Sequence, residues 1–157
     1  MKTIYILTAT FMAGLMSACA TYTPPVERDI DKVKRVDDSF DRVWQQSTEW
    51  FANKNIPIKN IVKDSGLIAT DYRLGTNADY LDCGTVGTYE SFTDKSLNFN
   101  VIVKSVGPNL TSVQANTFGT GSVSQMDLSG RPLAPRTVDC VSTGKLEEDL
   151  FKSLSAY

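Results

Sequence analysis

Leu97, Phe99, Val101 and Val103 alternate with Asn98, Asn100 and Lys104, the period of two that belongs to a strand with one buried and one wet face. Gly107-Pro108-Asn109 then supplies a turn, and residues 110–118 return with Val113, Ala115 and Thr117 on one side and Ser112, Gln114 and Asn116 on the other. Parallel sheets are usually covered on both faces, so this pair places an antiparallel sheet at the centre of the fold.

The flanking segments fit around that sheet. Residues 32–36 alternate well enough for a short first strand. Asp37, Asp38 and Ser39 crowd a position where a side-chain oxygen can cap free helix amides, and Phe40, Val43, Trp44, Ser47 and Phe51 fall on one face of the helix that follows. Residues 56–62 and 67–72 flank Lys63-Asp64-Ser65-Gly66, which predicts a hairpin. Residues 75–83 read as loop, 86–92 as a weaker strand and Thr93-Asp94-Lys95 as a turn. Residues 119–139, with Gly121, Gly130, Pro132 and Pro135, read as a long connection with one short strand near Val123. Ser142 and Thr143 offer a cap for a terminal helix carrying Leu146, Leu150, Phe151 and Leu154 as its apolar stripe. The sum is an α+β fold: an antiparallel sheet of about five to six strands with two helices packed on one face.

Before this domain, residues 4–16 form an apolar run too short for the roughly 20 residues of a membrane-spanning helix. The run closes in Leu15-Met16-Ser17-Ala18-Cys19 and resembles a bacterial lipoprotein signal. That resemblance implies cleavage after residue 18 and a lipid-bearing Cys19; two or three acyl chains would anchor the protein firmly, at roughly 0.8 kcal/mol per buried methylene. An ordinary cleaved signal is the alternative. Ala20 is not the aspartate that favours inner-membrane retention in such proteins, so the expected location is the cell outer membrane with the domain facing the periplasm. Three parts result: a signal peptide over 1–18, a lipidated tether over 19–31 marked by Pro24-Pro25, and one domain over 32–157. Net charge is −2 with dispersed basic residues, which argues against a nucleic-acid partner.

With Cys19 assigned to lipid, Cys83 and Cys140 remain as an even pair in an exported chain, which favours a disulfide. A redox or metal site competes, but the chain has no Cys-x-x-Cys pair and no histidine, so no metal ligand set and no cofactor is assigned. The missing histidine also removes the commonest base for a serine or cysteine nucleophile, and no catalytic residue is assigned. Asp79 with Asp82, or Glu147 with Glu148, are the acid pairs a glycosidase-type site would need; acids on a loop or a terminal helix are more often solvated charges. Gly119-Thr120-Gly121 does not open a helix as a phosphate loop does, and Gly84 and Gly87 read as turn or bulge positions.

Residues 36–44, Val-Asp-Asp-Ser-Phe-Asp-Arg-Val-Trp, followed by Ile56-Pro57-Ile58 and Asp64-Ser65-Gly66-Leu67-Ile68, resemble the opening of the helix-grip modules in BamC-type outer-membrane lipoproteins. The resemblance covers about a quarter of the chain. It implies a helix-grip fold and a place near the machinery that assembles β-barrels, although such relatives carry two modules and this chain has room for one. It also implies a groove between the sheet and the terminal helix, which Tyr72, Tyr80 and Tyr89 are placed to line as a ligand site; the plainer reading is that they edge the core. Asn98, Asn100, Gln114 and Asn116 on the wet sheet face, with Arg131 and Arg136 in the long loop, are the candidate contacts for an envelope protein partner, against the plainer reading of a solvated face. Two functions are therefore expected, a non-catalytic envelope interaction module or a carrier of an amphiphilic ligand.

Overall fold

A computed structural model describes residues 22–73 and 79–155; the leader and Cys19 lie outside the described residues. The elements are β1 (Val33–Val36), α1 (Phe40–Asn53), β2 (Asn60–Val62), β3 (Leu67–Arg73), β4 (Leu81–Asp82), β5 (Glu90–Gly107), β6 (Leu110–Gln125), β7 (Arg136–Ser142) and α2 (Lys145–Ser153). Among the described residues seven strands join one antiparallel sheet in the order β2-β3-β5-β6-β7-β4, with β1 also on β6. Both helices bury their apolar stripes in the core formed by one face of this sheet. The α+β reading therefore stands, with one more strand than expected.

Alternation sets the faces. Leu97, Phe99, Val101, Val103, Val113 and Ala115 are all buried, as their spacing requires. Val43, Trp44, Ser47, Trp50 and Phe51 cover them from α1, and the Trp50, Phe51 and Phe99 rings meet at centroid distances of 5.1 to 5.7 Å. The Ser47 hydroxyl is buried without loss because it donates to the Val43 carbonyl one turn earlier, at 2.8 Å.

The central hairpin is much longer than its alternating core. Residues 93–95 are not a turn: β5 runs through them with a bulge between Phe92 and Asp94. The first residues of the expected 86–92 strand are loop, and the strand begins at Glu90. On the partner, β6 continues through Gly119 and Gly121 to Gln125, and part of the expected long connection is β7. The two glycines are points of close approach: a Cβ on Gly119 would stand 2.2 Å from the Ser96 carbonyl oxygen and 2.5 Å from a Leu81 methyl. The Cys140 sulfur and the Phe92 ring fill the space beside Gly121. Residues 56–59 precede β2 and are not part of it, although Ile56 and Ile58 pack on the core.

Cys83 and Cys140 are bonded, tying the loop after β4 to β7. The expected tether is extended from Tyr22 onward, but it lies against the domain as a strap. Thr23 and Thr85 exchange backbone hydrogen bonds at 2.9 and 3.0 Å, Arg28 pairs with Asp82, and Ile30 sits over Gly144.

Candidate functional site

Four of the expected contact residues meet on the face of the sheet opposite the helices. Asn100 stands directly across from Asn116, Asn98 lies one row to one side opposite Phe118, and Gln114 one row to the other side opposite Ile102. The Gln114 row runs Val62, Leu67, Ile102, Gln114, Val33 across five strands. The face thus has a polar centre between apolar margins, with Phe118 49% and Val33 57% exposed. Sequence periodicity identified the polar residues; it did not reveal the apolar ones beside them, because that register is set by β1, β2 and β3.

Arg131 and Arg136 do not join this face. Arg131 pairs with Asp127 at 3.1 Å inside the loop that follows β6, and the Asp127 carboxyl is held below its ordinary range chiefly by the Arg131 backbone amide. Arg136 is committed to the fold. Its guanidinium donates to both Glu90 carboxylate oxygens at 2.9 and 3.1 Å and stacks on the Tyr22 ring at 4.9 Å. Glu90 also accepts from the Gln125 amide and the Gly87 backbone N–H, and these two hydrogen bonds lead in lowering its pKa. Partial burial raises the Tyr22 phenol, and the Arg136 charge opposes that. The arginine thus clamps the strap to the end of the hairpin.

Each acid of the two pairs has a partner of its own. Asp79 binds Lys145 at 3.3 Å, while Asp82 binds Arg28 and the Gly84 backbone N–H. Glu148 pairs with Lys152 in solvent at 2.6 Å. Glu147, expected among solvated charges, is instead 0% exposed, because its place on α2 turns it onto β6. Its carboxylate accepts the Thr117 backbone N–H and the Ser142 hydroxyl.

A groove of about 640 Å³ does lie between the strap, β1 and α2, lined by Ile30, Val33, Phe151 and the charged Asp29, Lys34 and Lys152 among others. The three tyrosines do not line it. Tyr72 edges the core on β3 beside Leu97, Tyr80 packs against the core next to β4, and Tyr89 is 63% exposed at the start of the hairpin. The signal that marks this groove is the charged and apolar mixture in the strap, which the sequence presents as linker composition.

One cluster was missed altogether. Met126, Leu128 and Leu133 in the loop between β6 and β7 are exposed, Leu128 to 92%. The Met126 amide donates to the Tyr89 carbonyl and the Leu133 amide to the Gln125 carbonyl, which holds these side chains and Tyr89 at one end of the hairpin. No protein-family model matches the chain, and no curated protein matches it.

Proposed function

We propose that the protein is a lipid-anchored, non-catalytic interaction module of the bacterial envelope, held to the outer membrane through Cys19 and engaging a protein partner with the open face of its sheet. The observation that carries this reading is the uncovered face centred on Asn98, Asn100, Asn116 and Gln114 between apolar margins. Desolvating such a mixed surface suits a protein partner that supplies both hydrogen bonds and apolar cover. The leader ending in Cys19 supports the anchor, and the Cys83–Cys140 bond suits an oxidising compartment. The strand, helix, sheet, helix order supports a single helix-grip module of the BamC type and, with it, an accessory place in outer-membrane assembly.

Photoreactive residues at Asn100 and Gln114, with Ala52 on the exposed end of α1 as control, test it in living cells. Labelling of envelope proteins from the two sheet positions and not from Ala52 is the expected result. Equal labelling at all three overturns it. The groove beside Phe151 favours a second reading, an amphiphile carrier, because it offers Val33 and Ile30 next to Lys34 and Lys152. Native mass spectrometry that finds a bound lipid and no protein partner would favour that reading.

A further inference from the structure

We infer that the end of the long hairpin is a second, non-covalent membrane contact: Tyr89, Met126, Leu128 and Leu133 dip into the bilayer interface beside the lipid on Cys19. The inference rests on the lipid-anchor reading and adds to it where the domain touches the membrane and how it is oriented.

The first argument is reach. The first described residue of the strap is Tyr22, whose ring lies under Arg136 at the Glu90 end of β5. Two residues lie between Cys19 and Tyr22, so three Cα steps span about 11 Å at most. Arg136 lies opposite Val123, and β6 continues two residues further, to Gln125, about 7 Å at a strand's rise, before the loop that carries Leu128. Tyr22 therefore stands at the end of the molecule that carries the hairpin tip, and the short link keeps the lipid attachment within about 11 Å of it.

The second argument is the chemistry of the tip. Leu128 is 92%, Tyr89 63%, Met126 56% and Leu133 50% exposed, four large apolar or aromatic side chains presented at one end of the hairpin, and such exposure marks a contact site. The two charges within the loop neutralise each other, since Arg131 donates to Asp127 and Asp127 also takes the Ser129 and Arg131 backbone amides. The loop thus enters the interface without a net charge, and Tyr89 is an amphipathic ring suited to headgroup depth. A bilayer fits these features better than a protein does, because the anchor already holds one there.

The test uses the mature protein purified from membranes and reconstituted in phosphatidylethanolamine–phosphatidylglycerol vesicles with brominated acyl chains. Trp44 and Trp50 are buried in the core and give a steady background. Leu128→Trp adds a reporter at the tip, and Ala52→Trp one on the exposed end of α1. The expected result is an acyl-chain mass on Cys19, strong quenching with a blue shift for Leu128→Trp, and none beyond background for Ala52→Trp. An acylated protein whose Leu128→Trp emission is unquenched, or whose Ala52→Trp emission is quenched as strongly, overturns the inference and leaves the anchor intact. A mature chain without acyl mass overturns the anchor reading and the inference together.

Discussion

The Glu147 carboxylate accepts the Thr117 backbone N–H at 3.0 Å, across 30 positions of sequence. Thr117 sits on β6 just past the stretch paired with β1, which ends at Gln114, and just before the stretch paired with β7, which starts at Phe118. Its amide faces the gap between those two neighbours, and a side chain from α2 fills it. The Ser142 hydroxyl donates a hydrogen bond to the same carboxylate and accepts one from the Gly144 amide that opens α2. One buried acid therefore joins the sheet, β7 and the start of the terminal helix.

Glu147→Ala should consequently be among the most damaging single changes. It leaves a buried amide and a buried hydroxyl unpaired, for an expected loss of about 3 kcal/mol or more in urea denaturation. Glu147→Gln keeps an acceptor oxygen for Thr117 and should lose clearly less. Equal losses for the two variants would mean that both carboxylate oxygens are required, since the volume and the single acceptor oxygen that Gln retains would then contribute nothing.

The Cys83–Cys140 bond closes a separation of 57 residues. In the chain-entropy account such a loop is worth about 4 kcal/mol, so the Cys83→Ala, Cys140→Ala double variant should unfold at markedly lower urea than the oxidised parent. Reducing agent should lower the parent toward the variant and leave the variant unchanged.

Glu90 has a folded pKa below its ordinary 4.5, led by the hydrogen bonds from Gln125 and Gly87. A depressed carboxylate contributes stability above its unfolded pKa and loses that contribution as pH falls through the folded value. Stability should thus decline below about pH 4.5, and Glu90→Gln should flatten that part of the profile. Lys54 is raised above 10.5, first by its hydrogen bond to Asp149, so its contribution is complete below that pH and is lost as pH rises further. Thermal melts from pH 3 to 7 for parent and Glu90→Gln check the acid limb; indistinguishable slopes would exclude Glu90 as its source.

Gly84 adopts φ +79°, and a Cβ there would meet the Thr23 carbonyl oxygen at 2.1 Å. Gly84→Ala should push the strap off the domain, since neither the conformation nor the space admits a methyl group. Faster hydrogen exchange at the Thr23 and Thr85 amides, with the β5 and β6 amides still protected, is the expected pattern.

Cys19→Ser should abolish incorporation of a labelled fatty acid and move the protein out of the membrane fraction. Retention in that fraction without label would point to attachment by other means.

The helices and the inner hairpin were legible because each buries one face and therefore imposes its period on the sequence: Val43, Trp44 and Phe51 in α1, Leu97 through Val103 in β5. The disulfide was legible from cysteine parity once Cys19 was set aside. What escaped were places where tertiary contact overrides local chemistry. Gly119 and Gly121 are breakers by propensity, yet β6 needs their missing side chains to let Ser96, Leu81 and Phe92 approach. Thr93, Asp94 and Lys95 have turn composition, but a bulge absorbs the irregularity and the strand continues. Arg136 looked like a free loop cation because nothing nearby in sequence reveals Glu90, 46 positions earlier. On the open sheet face Asn98, Asn100, Gln114 and Asn116 were found by alternation alone, whereas the apolar end of the hairpin was hidden by being read as connection.

The strap has a mechanical consequence. Tension on the amino terminus meets first the Tyr22–Arg136 stack, then the two Thr23–Thr85 backbone bonds and the Arg28–Asp82 pair, none of which is part of the sheet's own ladders. Peeling residues 22–32 away would pay out about 35 Å of slack before β1 is loaded, while the cystine beside Thr85 keeps the surface beneath intact. The molecule thus has a short leash when the strap is seated and a long one when it is released.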